Sequence, residues 1–172
     1  MQLLLEHKDV DVNLGDTSGF TPLHFAAANG HLEVVQTLFE HNVDVNSQDK
    51  HRSTPLLLAS ELGHPAIVQL LLDHNADVYL RDNDGDTPLI CAVAGDQLEV
   101  SRILLKHNVE LNSRNNKGLT ALHVASHGYR YADGNPDLVR LLLDHGVDAQ
   151  AHNLSGMTAS DVARGKRRQE VV

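Results

Sequence analysis

Histidine is the residue type in this chain most able to do chemistry, because its imidazole binds metals and exchanges protons near neutral pH. The chain has 12 histidines in 172 residues. Five of them follow apolar stretches at one repeated position: His7, His41, His74, His107 and His145. Zinc binds each nitrogen at about 2 Å, so two ligands of one ion need nitrogens within about 4 Å. Packed helices lie roughly 8–10 Å apart, so this column favours a helix-end role over a metal site.

Two further features suggest a calcium-binding loop and a nucleophilic cysteine, and each lacks residues that its chemistry requires. Asp82-Asn83-Asp84-Gly85-Asp86 begins like a calcium-binding loop. Such a loop needs glycine at its sixth position and glutamate at its twelfth, where this chain has Thr87 and Val93. We interpret the run as an acidic turn that suits a basic partner. Cys91 has no histidine near it in the sequence, and we expect a buried structural thiol rather than a nucleophile.

A repeated helix start positions these residues. Its clearest copy is Thr21-Pro22-Leu23-His24, and the threonine recurs at Thr54, Thr87 and Thr120, each 33 residues after the last. A further copy begins at Thr158, another 38 residues along the chain. Threonine caps helix N-termini through its hydroxyl, and proline fits the first helical position, where no hydrogen bond is lost. Each copy therefore predicts the start of a helix.

Two apolar stripes follow each cap. In the first repeat, Leu23, Ala26 and Ala27 fall at i, i+3 and i+4, the spacing of a buried helix face. Gly30 stands where that helix must end in a left-handed residue. The second stripe consists of Val34, Val35, Leu38 and Phe39. The pattern predicts helix, turn, helix in about thirty residues.

The 33-residue period with T-P-L-H-x-A, here Thr21 to Ala26, resembles the ankyrin repeat. The resemblance implies an all-α fold, a solenoid of stacked helix-turn-helix units with projecting β-turn or hairpin fingers. We expect one domain over 1–172, made of complete repeats at 16–48, 49–81, 82–114 and 115–152 and partial repeats at 1–15 and 153–172. Both ends fall inside the second helix of a repeat, so we expect a piece of a longer array. The alternative is that Met1 is a true start and that the terminal repeats fray.

Two substitutions interrupt the pattern at turns. Arg52 occupies the finger position that glycine holds elsewhere, and a non-glycine residue with positive φ costs on the order of a kcal/mol. We therefore expect a different turn in that finger. Asp96 stands where Gly30 and Gly63 stand in other repeats, and aspartate tolerates the left-handed region, so the helix can still end there.

The resemblance implies that partners bind the finger tips and the inner, first-helix face. On the fingers, the predicted contact residues are Phe20, Lys50, His51, Asn83, Asp84, Asp86, Asn116, Lys117 and Leu119. The fourth repeat carries extra residues, and insertions in repeat proteins often reach the binding face. That insertion contains Tyr129, Arg130 and Tyr131, and tyrosine and arginine are enriched at interface hot spots. Equally, the two tyrosines could fold back and cover the adjacent helix pair.

Composition and the absence of known motifs disfavour nucleic-acid binding, membrane insertion and catalysis. A net charge of −9 disfavours a nucleic-acid partner, and we interpret the basic run 164–168 as a solvated stretch rather than an import signal. No apolar run or signal-peptide pattern indicates a membrane, and one cysteine fits the cytoplasm or the nucleus. With no phosphate-binding glycine loop and no G-x-S-x-G, we predict no enzyme, cofactor or small-molecule substrate. We expect a module that binds another protein; the alternative is a regulatory or targeting segment of a larger enzyme, such as an NTPase or a kinase.

Overall fold

The computed structural model describes residues 11–127 and 134–169. These ranges contain nine α-helices and no strand. In chain order the helices are α1 (Pro22–Ala28), α2 (Leu32–Phe39), α3 (Pro55–Leu62), α4 (Pro65–Asp73), α5 (Pro88–Ala94), α6 (Leu98–Leu105), α7 (Ala121–His127), α8 (Pro136–Asp144) and α9 (Ala159–Gln169).

The predicted caps start the first helix of each of the first three complete repeats. Thr21, Thr54 and Thr87 adopt extended backbone, and each hydroxyl accepts a hydrogen bond from the backbone N–H three residues later. Proline follows each of them as the first helical residue. In the first repeat, His24 completes a capping box, because its ring accepts from the Thr21 N–H. The helix starts expected from Thr-Pro are confirmed.

The helices stack in two layers. In one layer α1 packs on α3, α3 on α5, α5 on α7 and α7 on α9; in the other α2 packs on α4, α4 on α6 and α6 on α8. Each first helix from α1 to α7 also packs on the second helix of its own repeat. The buried stripes meet between these layers and form one continuous core, in which Leu23, Leu56 and Leu104 are almost fully buried. The predicted stack of helix-turn-helix units is confirmed.

The turns between paired helices use the left-handed backbone that the sequence indicates. Gly30 and Gly63 have φ of 75° and 79°, and Asp96 has φ of 61°. The expectation that aspartate would accept the left-handed region is confirmed. In the next repeat Gly134, two residues before α8, has φ of 69°, and the amide of Asn135 donates to the Asp96 carboxylate.

Candidate functional site

The fingers are the five-residue turns that come immediately before the cap threonines: 16–20, 49–53, 82–86, 115–119 and 153–157. One aspartate or asparagine at the base closes each of them. The Oδ1 atom of that residue accepts two backbone N–H bonds, from the residues two and four positions later, at 2.7–3.0 Å. The five residues that do this are Asp16, Asp49, Asp82, Asn115 and Asn153. Aspartate and asparagine favour turns because their side chains bond to nearby backbone in this way. One side chain therefore sets the shape of each finger.

The second finger takes the same turn as the others, so the expectation of a different turn at Arg52 is wrong. Arg52 has φ of 61°, and its N–H donates to the Asp49 carbonyl at 2.9 Å, as the Gly19 N–H donates to Asp16. The two backbone bonds to the Asp49 carboxylate are also present. These bonds hold the turn together even though arginine disfavours a positive φ.

Backbone hydrogen bonds join the tips of the first four fingers into a row. Lys50 donates to the Ser18 carbonyl, Asn83 to His51 and Asn116 to Asp84, each at 2.9 Å. Two side chains strengthen the row, because the Asn83 amide donates to the Lys50 carbonyl at 3.3 Å and the Asn116 amide to the Asn83 carbonyl at 2.8 Å. The structure therefore brings the predicted tip residues together on one ordered edge.

The predicted contact residues divide by exposure. Six at the tips are exposed: Lys50, His51, Asn83, Asp84, Asn116 and Lys117. Three at the base of a finger, immediately before a helix cap, are half-buried: Phe20, Asp86 and Leu119. Ser53 and Met157 occupy the same position in the other two fingers. We call these five residues, Phe20, Ser53, Asp86, Leu119 and Met157, the pre-cap row.

An aromatic pair lies at one end of the pre-cap row. The ring of Phe20 meets the ring of Phe25 edge-on, with centroids 5.0 Å apart and planes at 73°. Phe25 belongs to α1 and is 48% exposed. Phe25 was not among the predicted contact residues. Its place outside the stripe of Leu23, Ala26 and Ala27 does not by itself show exposure, because Cys91 holds the same place in the third repeat and is buried.

Asp86 is the acidic member of the pre-cap row. Burial raises the pKa of its carboxyl group, and the nearby charges of Asp82 and Asp84 raise it further. The Asn115 amide donates to Asp86 Oδ1 at 2.8 Å, which favours the ionised form and opposes that shift. The structure therefore holds a partly desolvated carboxylate between the finger and the helix face.

Four of the histidines bond to the backbone of the scaffold. At the ends of α4 and α8, the rings of His74 and His145 donate to the backbone carbonyls four residues earlier, at 2.9 and 2.8 Å. Three residues after the cap threonine, buried His24 and His123 each place Nε2 3.0 Å from a carbonyl oxygen of the next finger. Within the described ranges no group of three or more histidine, cysteine or acidic side chains could hold a metal ion. The helix-end role is confirmed for His74 and His145.

Cys91 occupies the position of Phe25 in the third repeat. Its side chain is buried, and burial raises the pKa of its thiol well above the ordinary value. A thiol in that state is a poor nucleophile, because the thiolate is the reactive form. The expectation that Cys91 is buried is confirmed.

The predicted insertion residues Tyr129, Arg130 and Tyr131 lie outside the described residues, so their role stays a prediction. The residues that flank them, Ser126 and Gly134, line a groove of about 670 Å³ together with Val139 and Leu143 of α8.

Comparison with known proteins identifies the repeat. A family model described as ankyrin repeats, in three copies, matches residues 1–82 and again residues 56–153. A search of curated proteins gave no match. Within the ranges that the structure covers, every helix is too short or too polar to cross a membrane.

Proposed function

Because the chain belongs to the ankyrin-repeat family, whose repeats are generally protein–protein interaction modules and typically not catalytic, we propose that it is a non-catalytic module that binds a partner protein. The contact surface in this proposal is the row of finger tips together with the pre-cap row and the exposed side chains of the first helices. The pre-cap row and the exposed side chains of the first helices are together called the inner face below. A cytoplasmic or nuclear location is part of the proposal, since the single thiol, Cys91, needs no oxidising compartment.

The observation that carries the proposal is the Phe20–Phe25 pair, in which Phe25 is exposed and Phe20 is half-buried. The chain has only three phenylalanines, and two of them touch each other at the surface. Leu62 of α3 adds a further apolar side chain, 45% exposed, on the neighbouring first helix. Clustered apolar side chains such as the Phe20–Phe25 pair mark interaction sites more often than isolated ones do. A partner that covers these side chains would remove apolar area from water.

The hydrogen bonds within and between the fingers support the same proposal. They fix the backbone of the tips before any partner arrives, so little conformational entropy remains to be lost on binding. Phe20 is held in the same way, because its N–H donates to the Asp16 carboxylate at 3.0 Å. A rigid edge that presents variable side chains suits recognition of another protein.

Site-specific photo-crosslinking tests this proposal. A photoreactive benzoylphenylalanine replaces Phe25 on the inner face in one variant and Glu99 of α6 on the opposite layer in the other. In extracts of the source cells, we expect discrete covalent adducts from position 25 and few from position 99. The adducts should disappear when Phe20→Ser is added, with circular dichroism confirming unchanged helix content. Equal labelling from both positions, or adducts that survive Phe20→Ser, would reject the inner face as the contact surface.

A further inference from the structure

The pre-cap row changes in chemical type from one finger to the next. From the first finger to the last it reads aromatic, small polar, acidic, aliphatic and thioether: Phe20, Ser53, Asp86, Leu119 and Met157. One carboxylate therefore lies between two apolar ends. Packed helices are separated by about 8–10 Å, so Asp86 lies roughly 16–20 Å from Phe20 and roughly 8–10 Å from Leu119 along the stack.

The carboxylate of Asp86 is not neutralised within the described part of the chain. The ion pairs found there join Arg81 to Glu110 and Arg102 to Glu99, and neither involves Asp86. The amide of Asn115 satisfies one carboxylate oxygen but carries no charge. A partly desolvated carboxylate gains more from a cation than a fully hydrated one does, because the local dielectric is lower.

The charges near Asp86 also favour a positively charged partner. Asp82 and Asp84 belong to the same finger, and the whole chain carries a net charge of −9. Asp82 Oδ1 already accepts the backbone N–H groups of Asp84 and Asp86, so it serves the turn, whereas Asp84 is exposed at the tip. Lys117 on the next finger offsets part of this charge from a distance. An anionic side chain on a partner would be repelled at this point of the row.

The two ends of the row offer apolar contacts. At one end exposed Phe25 pairs with half-buried Phe20, and at the other half-buried Leu119 is followed by Met157, which is 39% exposed. We propose that the partner is a protein segment whose lysine or arginine pairs with Asp86 and whose apolar side chains cover Phe20–Phe25 on one side and Leu119–Met157 on the other. This inference rests on the proposed function and specifies the chemistry of its partner.

Selection from a phage-displayed library of random peptides, each about 16 residues long, tests the inference directly on the purified chain. We expect enriched peptides that carry a lysine or arginine with apolar residues on both sides. A synthetic copy of an enriched peptide should bind Asp86→Asn about tenfold or more weakly than the unchanged chain, because charge-assisted hydrogen bonds are the strong ones. The substituted amide oxygen can still accept from Asn115, so the finger keeps its shape. Thermal unfolding of the variant checks this.

Charge reversal supplies the second measurement. Selection against Asp86→Arg should enrich aspartate or glutamate in place of the basic residue. The matched control is Asp73→Arg, which reverses an exposed carboxylate at the end of α4 and should leave the selected sequences unchanged.

The outcomes separate the two proposals. Enriched peptides without a basic residue, which still need Phe25, would overturn the role of Asp86 and leave the inner face as a binding surface. Peptides whose binding survives both Phe25→Ser and Asp86→Asn would count against the proposed surface itself. A library that enriches no peptide would overturn recognition of a linear segment.

Discussion

Replacing Arg52 with glycine should stabilise the protein, because the backbone already has the conformation that glycine prefers. Arg52 has φ of 61°, and its counterparts Gly19, Gly85 and Gly118 have φ of 81°, 78° and 73°. The Arg52 side chain is exposed, and within the described ranges its guanidinium makes no hydrogen bond or ion pair. Substitution therefore removes backbone strain without removing a contact.

The size of the effect follows from two opposing terms. A left-handed conformation costs a non-glycine residue roughly 1–2 kcal/mol. Glycine gives the unfolded chain more freedom, which offsets about 0.4–1 kcal/mol of that gain. We expect a net increase of about 0.5–1 kcal/mol in the free energy of unfolding for Arg52→Gly. In a domain of this size that corresponds to a rise of roughly 1–4 °C in Tm.

Equilibrium urea unfolding of the unchanged chain, Arg52→Gly and Arg52→Ala, monitored by circular dichroism, measures the effect. Arg52→Ala removes the guanidinium but keeps a β-carbon, so it should match the unchanged chain. Gly19→Ala is the reverse change and should destabilise, since its new Cβ would also lie 3.2 Å from the Asp49 Cα. If Arg52→Gly leaves the unfolding midpoint unchanged or lowers it, the strain argument is refuted. A gain shared equally by Arg52→Ala would instead assign the effect to the side chain.

Three further predictions follow from single buried groups. Ser60 Oγ is buried without a hydrogen-bond partner among the described residues, and Ala27 holds the equivalent place in the first repeat. Ser60→Ala should therefore raise the free energy of unfolding in urea by about 1 kcal/mol. A decrease would show that the hydroxyl has a partner. Burial lowers the pKa of His24 below its ordinary 6.5, so the unfolded state takes up the proton first. Stability should therefore fall as pH drops below about 6.5, and His24→Leu, which copies Leu57, should reduce that slope. The buried thiol of Cys91, with its raised pKa, should react with a disulfide reagent at about pH 8 only after unfolding, and rapid reaction of the native protein would contradict its burial.

The fold was predictable because its signals are local and repeated. Thr-Pro caps, alanine stripes and left-handed glycines each specify a short segment, and the constant period requires the segments to pack in the same way. The error at Arg52 shows the limit of a local signal. The intrinsic preference of arginine indicates a different turn, whereas the bonds to the Asp49 carboxylate and the Lys50 bond to Ser18 outweigh that preference.

The candidate surface was only partly predictable, because exposure depends on neighbouring repeats. Phe25 and Cys91 occupy the same place on their first helices, yet Phe25 is 48% exposed and Cys91 is 7% exposed. The sequence identifies both as lying outside the main stripe, but it does not show what covers each one. The partial burial of Asp86 also depends on a neighbouring repeat, since Asn115 belongs to the next finger.

Side chains that tie one repeat to the next determine which positions remain available for a partner. The Oδ1 atoms of Asn13 and Asn46 accept the backbone N–H of the residue that starts the corresponding loop in the next repeat, at 2.7 and 2.8 Å. At the same position in the third repeat stands Tyr79, whose hydroxyl donates to the Asn108 carbonyl at 2.7 Å, as the Asn13 amide donates to Asn42. Tyr79 thus replaces the amide-to-carbonyl bond that asparagine makes at this position.

Residues at three kinds of position form hydrogen bonds that hold the stack together: the positions of Asn13, Asn46 and Tyr79, the helix caps and the finger bases. A change at any of them alters the scaffold before it alters recognition. The finger tips and the pre-cap row carry fewer such duties, so their side chains can differ from repeat to repeat without changing the helices beneath them. The fold therefore tolerates the variation from Phe20 through Asp86 to Met157. Contact with a partner, rather than the fold, is the constraint that would determine which residue type stands at each of these positions.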